Sequence, residues 1–110
     1  AGIEALEGPQ DSVSNMMKEF TKRREIVVDG LNSLKGIRCS IPKGAFYAFP
    51  NIENTGMTSQ QFADKALYDG GVALLSGTSF GEFGEGFIRI SFANAIENIQ
   101  EGIKRISTIL

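Results

Sequence analysis

The chain has 110 residues, with 13 acidic and 11 basic side chains, 42% hydrophobic residues, one cysteine and no histidine. That length suits one domain and that apolar content a packed core, which argues against disorder. A formal charge of −2 gives no general attraction to nucleic acid or to an anionic membrane, and without histidine neither a Cys/His zinc site nor histidine acid–base chemistry can be built.

A lone cysteine cannot close an internal disulfide. No apolar run approaches the ~20 residues of a membrane span, and no basic-then-apolar leader opens the chain. Since Ala1 is not an initiator methionine, the chain is expected to be processed or cut from something longer.

The first predicted element follows the turn-like run Glu7-Gly8-Pro9-Gln10-Asp11, with Asp11 or Ser12 as helix N-cap. Val13, Met16, Met17, Phe20, Val27, Leu31 and Leu34 recur at three- and four-residue steps, one apolar stripe on a long helix over 12–34. Lys18, Lys22, Arg23 and Arg24 lie mostly off that stripe and read as a solvated face. Gly36 closes the helix. Ile37, Cys39 and Ile41 alternate with polar residues as in a half-buried strand, and after the turn Pro42-Lys43-Gly44 the run Ala45–Phe49 reads as its hairpin partner. Cys39 reads as a small core residue rather than a reactive thiol.

Thr58 with Gln61 forms a capping box ahead of a short amphipathic helix that carries Phe62, Ala63, Ala66 and Leu67 and stops at Gly70-Gly71. Val72–Leu75 is the kind of apolar run found in a strand buried on both faces. A glycine-rich loop over 76–86 follows, then a strand over 87–92 with Ile88, Ile90 and Phe92 on one face and Phe87, Arg89 and Ser91 on the other. Asn94 and Glu97 suggest a second capping box, and Ile96, Ile99, Ile103, Ile106 and Leu110 make the seam of a final helix. The order predicts an α/β fold of α+β two-layer type: a small mixed or antiparallel sheet of about four strands covered by helices, with a long N-terminal helix.

Three features carry possible chemistry. The loop glycines Gly77, Gly81, Gly84 and Gly86 lack the Lys-Ser/Thr pair of a Walker loop and feed a strand, not a helix. With Glu82 and Glu85 among them they read as a flexible, tightly turning segment, although Phe80 and Phe83 suggest that it packs on something. Arg89 is a cation in an apolar strand. It is unremarkable if its face meets solvent and well suited to a carboxylate or phosphate if its face lines a cleft, and pattern alone leaves both open. The acids Glu82, Glu85, Asp64 and Asp69 read as solvated surface, and no lysine occupies an apolar context that would depress its pKa.

More specific strings appear in order along the chain: residues 1–11 followed by Arg23-Arg24-Glu25, then Pro42-Lys-Gly-Ala-Phe-Tyr-Ala-Phe-Pro50, Gly71-Val-Ala-Leu-Leu-Ser-Gly-Thr-Ser-Phe-Gly81 and Gly84-Glu-Gly-Phe-Ile-Arg-Ile-Ser-Phe-Ala93. Together they resemble the C-terminal small domain of aspartate-aminotransferase-like enzymes, the class I/II, fold-type I, pyridoxal-phosphate-dependent aminotransferases. The resemblance covers residues 1–110. It implies that Arg89, in the Arg-x-Ser-Phe-Ala string, binds the α-carboxylate of the substrate, that Phe46 and Phe80 lie near the same cleft, and that the glycine loop helps the domain close. One departure is visible: Ser76 stands where the family loop usually has proline.

By the same resemblance, the Schiff-base lysine and the other cofactor ligands belong to a large domain that would precede Ala1. Pyridoxal 5'-phosphate is expected in the full-length enzyme and not on this fragment, which contributes no catalytic, cofactor-binding or metal-binding residue and is expected to be inactive alone. The implied reaction moves an amino group between an amino acid, aspartate by default, and a 2-oxo acid. The implied setting is a cytoplasmic homodimer in which the large domain of the same chain covers this one, without nucleic-acid or membrane partners. Part of the long helix, around Met16, Met17 and Phe20, should then lack a partner when the domain stands alone. The alternative is a free-standing, non-catalytic ligand-binding or dimerisation module with the same fold.

Overall fold

The computed structural model describes all residues, 1–110. A six-residue helix α1 (Gly2–Glu7) with no buried residue precedes the long helix α2 (Asp11–Asn32). Neither Asp11 nor Ser12 caps α2: the cap is Gln10, without a side-chain hydrogen bond to the helix, and Asp11 places its charge in the positive first turn instead. The apolar stripe of α2 is used unevenly. Val27, Val28 and Leu31 are buried, whereas Val13, Met16 and Met17 stand in solvent.

Gly30 lets the last helix approach, because a Cβ there would collide with Ile103 Cδ1. After Ser33 the chain turns through Gly36, whose φ of +83° and closeness to the Asn54 carbonyl both favour glycine.

The expected strand over 37–41 does not form. Asn32 in the last turn of α2 engages both backbone groups of Cys39: Nδ2 donates to the Cys39 carbonyl (2.9 Å) and the Cys39 N–H donates to Oδ1 (2.8 Å). A backbone so satisfied has nothing left for a ladder, and only Arg38 bridges across to Asn51. Ala45, with φ +56°, breaks the other arm of the expected hairpin, which leaves β1 (Tyr47–Ala48). The sheet therefore has three strands, not four: β1, β2 (Leu75–Ser76) and the central β3 (Ile88–Ser91), in the order β1-β3-β2 and antiparallel throughout.

Helix α3 (Ser59–Tyr68) starts at the Thr58/Gln61 capping box, with both reciprocal hydrogen bonds formed. It stops at Gly71 (φ +63°), where the Val72 N–H closes onto the Ala66 carbonyl at 2.8 Å. Helix α4 (Ile96–Ser107) is capped by Ala95, so the Asn94/Glu97 box is absent: Asn94 Oδ1 accepts from the Ala95 N–H and Asn98 Nδ2 instead. The inner face of the sheet, with Ala48 and Ile88, closes on Leu31 of α2, Phe62 and Ala66 of α3 and Ile106 of α4, all 2% exposed or less. No helix is long and apolar enough to cross a membrane.

Candidate functional site

The outer face of the sheet is uncovered and carries Arg89. Alternation on β3 points Ile88 into the core, where it is fully buried, and Arg89 to the opposite side. Leu75 of β2 pairs directly with Arg89, and the Tyr47↔Ser91 register of β1 sets Phe49 level with it on the other flank. Leu75 is thus exposed on one side, and 72–75 is not a strand buried on both faces as its sequence suggests.

The guanidinium carbon of Arg89 lies 4.0 Å from the centre of the Phe80 ring and 4.4 Å from that of Tyr47. Stacking on ring faces is a favoured environment for a guanidinium and leaves its in-plane N–H donors free. No carboxylate of the chain takes them. The two ion pairs, Lys22–Glu19 and Arg105–Glu101, both lie on exposed helix surfaces elsewhere. The arrangement is a fixed, partly buried cation with its bidentate edge unused, which is what a planar anion such as a carboxylate needs.

Phe80 reaches this position from the glycine loop, which is neither open nor loose. Two short 3₁₀ turns, Gly77–Phe80 and Glu82–Gly84, fold it back on itself until the backbones of Gly77 and Gly84 touch, so a Cβ at either would strike the other strand of the loop. Ser59, fully buried at the first position of α3, fastens it. Its hydroxyl donates to the Gly84 carbonyl (3.3 Å) and accepts from the Phe87 N–H (3.1 Å). The Ser59 N–H donates to Glu85 Oε1 at 2.9 Å. Glu85 is exposed, as its sequence suggests, and also caps α3, held where the helix dipole favours it. Phe83, 91% exposed, packs on nothing in this chain.

Of the three site residues named from sequence, Phe80 and Arg89 are in contact and Phe46 stands one ring away. Phe46 touches Tyr47 (centroids 4.6 Å apart) and stacks on Phe20 (6.0 Å), lining a groove of about 420 Å³ with Met16, Met17 and Arg24. Phe20 also meets Phe92 edge-on, so it is not partnerless; Met16 and Met17, about half exposed, are the open part of the stripe.

Arg23 and Arg24 are half-buried beside them with their Nε atoms unpaired, unlike the solvated Lys18 and Lys22. Tyr47 was not singled out from sequence, although its place two residues before Phe49 on an alternating strand was a usable signal. For Ser59 and Glu85 there was none, since their contacts join residues 25 to 28 positions apart. Cys39 is buried, and burial pushes its thiol pKa up, away from reactivity. The chain holds no cluster of three or more metal-ligating side chains.

Residues 1–106 match the model of the family described as aminotransferase class I and II. An aspartate aminotransferase of Pyrococcus horikoshii is 46% identical over all of this chain and 29% of its own length. An LL-diaminopimelate aminotransferase of Moorella thermoacetica is 38% identical over all of this chain and 28% of its own.

Among solved structures, an alanine aminotransferase from Pyrococcus furiosus superposes with a TM-score of 0.91 at 34% identity, over 96% of this chain and 27% of that one. The chain belongs to the class I and II aminotransferase family. It spans less than a third of the length of these relatives.

Proposed function

We propose that residues 1–110 form the C-terminal small domain of a pyridoxal-phosphate-dependent aminotransferase, which exchanges an amino group between an amino acid and a 2-oxo acid. The observation that carries this reading is Arg89, a clasped cation with its bidentate edge free on the uncovered face of the sheet. In this reading Arg89 binds the α-carboxylate and so fixes the orientation of the substrate Cα. The large domain of the same chain covers the open face, and the complete enzyme is a homodimer.

The named relatives act on aspartate, LL-diaminopimelate and alanine. An α-carboxylate is common to all three, so Arg89 serves amino-acid recognition in general. Aspartate is the default donor because it is named for the relative with the highest identity of the three.

Pyridoxal phosphate needs an amine for its aldehyde and donors for its phosphate. Tyr47 and Phe80 against Arg89 and Leu75 paired with it offer no amine. The N-terminus of α3 is already filled by Thr58 and Glu85, and the loop beside it carries Glu82, which would repel phosphate. The residues around Arg89 and at the start of α3 therefore do not fit the cofactor. In the proposed enzyme the large domain holds it, and this fragment alone is inactive.

A charge-assisted bidentate contact of about 1.5–3 kcal/mol corresponds to about 10–150-fold in kcat/KM. The Arg89→Ala variant of the complete enzyme is expected to lose that factor for every amino donor. An unchanged kcat/KM across several donors would contradict the assignment.

A further inference from the structure

We infer that Tyr47 and Phe80 are positioning residues for Arg89, a two-ring clamp that holds the guanidinium ready to accept a carboxylate before the substrate arrives. The inference rests on the reading of Arg89 as the carboxylate-binding residue. An arginine on an uncovered strand face would ordinarily sample many rotamers, and ordering it on binding would weaken the contact. Here the guanidinium carbon already lies 4.0 Å and 4.4 Å from two ring centres, contributed by separate parts of the chain, the glycine loop and β1. With its carbon over two ring faces and no N–H donor hydrogen-bonded within the chain, the cation keeps the paired donors that match a carboxylate.

Each ring is itself supported. Phe49 meets Phe80 edge-on with centroids 6.3 Å apart, and Phe49 in turn lies parallel to Phe87 at 5.3 Å. Phe46 backs Tyr47 at 4.6 Å. The 3₁₀ turn that delivers Phe80 is fixed at its base by the Gly77–Gly84 backbone contact and by the Ser59 hydroxyl. The clamp is thus built from supported parts, and Tyr47 and Phe80 remain 36% and 49% exposed. Leucine at either position keeps apolar bulk and removes the π face that attracts the cation.

In the complete enzyme, Phe80→Leu and Tyr47→Leu are each expected to raise KM for the amino donor by about 2- to 30-fold, with a smaller change in kcat. Tyr47→Phe, which retains the ring, is expected to behave as the wild type. Repeating Phe80→Leu in an Arg89→Ala background separates positioning from general damage, because the clamp has nothing to hold there and no further loss should appear. Should Phe80→Leu fail to fold, Tyr47→Leu on the opposite ring supplies the same comparison.

The inference is overturned if the leucine variants leave KM unchanged while Arg89→Ala raises it, a result that would leave the carboxylate role of Arg89 standing. It is equally overturned if the leucine variants cost the same factor with and without Arg89. An Arg89→Ala enzyme with unaltered KM would remove the underlying reading and the clamp together.

Discussion

The two faces of the small sheet are built from similar residues and have opposite fates. The inner face closes on three helices and buries Ile88 and Ala48 completely, while the outer face leaves Tyr47, Phe49, Leu75 and Phe80 more than a third exposed around one arginine. Apolar side chains alone therefore do not tell core from site. What separates the faces is the cation: Arg89 is tolerable only on a face that keeps access to water or to an anion, and Tyr47 and Phe80 meet it there rather than a core. An uncovered apolar face of this kind is also what a domain shows when its natural cover lies elsewhere in a longer chain.

The comparison can be broken most easily by truncation on each side. Phe62→Ala, at a fully buried position of the inner layer, is expected to cost about 3–5 kcal/mol in urea denaturation. Phe49→Ala on the outer face is expected to cost the isolated chain well under half of that, because its ring is already partly in water. Equal losses would mean that the outer face is part of the core.

Ser59→Ala tests the connection between the faces, since it deletes the hydroxyl that ties the glycine loop to α3. The Phe87 N–H and the Gly84 carbonyl keep their mutual hydrogen bond of 3.2 Å, so losing the hydroxyl is expected to cost about 0.5–1.5 kcal/mol. Hydrogen exchange should rise at the Phe87 amide; protection equal to wild type there would show that the staple is dispensable.

The smallest effect is expected away from both faces. The Arg105 hydrogen bond, with smaller help from its charge and that of Lys104, holds the Glu101 carboxyl below the usual carboxylate range. A lowered folded-state pKa stabilises above the ordinary carboxylate pKa, and the contribution disappears as pH falls through the folded value. The pair is exposed, so Glu101→Gln should be only slightly less stable than wild type at neutral pH and indistinguishable from it in acid. A difference that grows as the pH is lowered would reverse the assigned sign.

How much was legible in the sequence follows from how local each interaction is. The Thr58/Gln61 capping box and the Gly71 stop involve residues a few positions apart, and both formed as the sequence suggests. The alternation of β3 also predicted which face Arg89 would take, because period two is a property of the strand itself. The strand suggested over 37–41 does not form because Asn32, a helix residue, satisfies Cys39 from outside the segment, and no propensity argument contains that contact. The glycine loop looked flexible because its fastening, Ser59 and Glu85, comes from a different helix or acts on one. At the site, Phe80 and Arg89 stood out in the sequence, but Tyr47 became meaningful only once register placed it beside the arginine.

The central claim is that Arg89 binds the α-carboxylate of an amino-acid substrate, and a binding cycle on the complete enzyme tests it most directly. An amino-acid substrate and the corresponding amine without the carboxylate would be compared for affinity in the wild type and in Arg89→Ala. If the account holds, removing the carboxylate weakens binding to the wild type by about 10–150-fold and hardly alters binding to Arg89→Ala. The same penalty in both enzymes would place the carboxylate contact elsewhere and contradict the account.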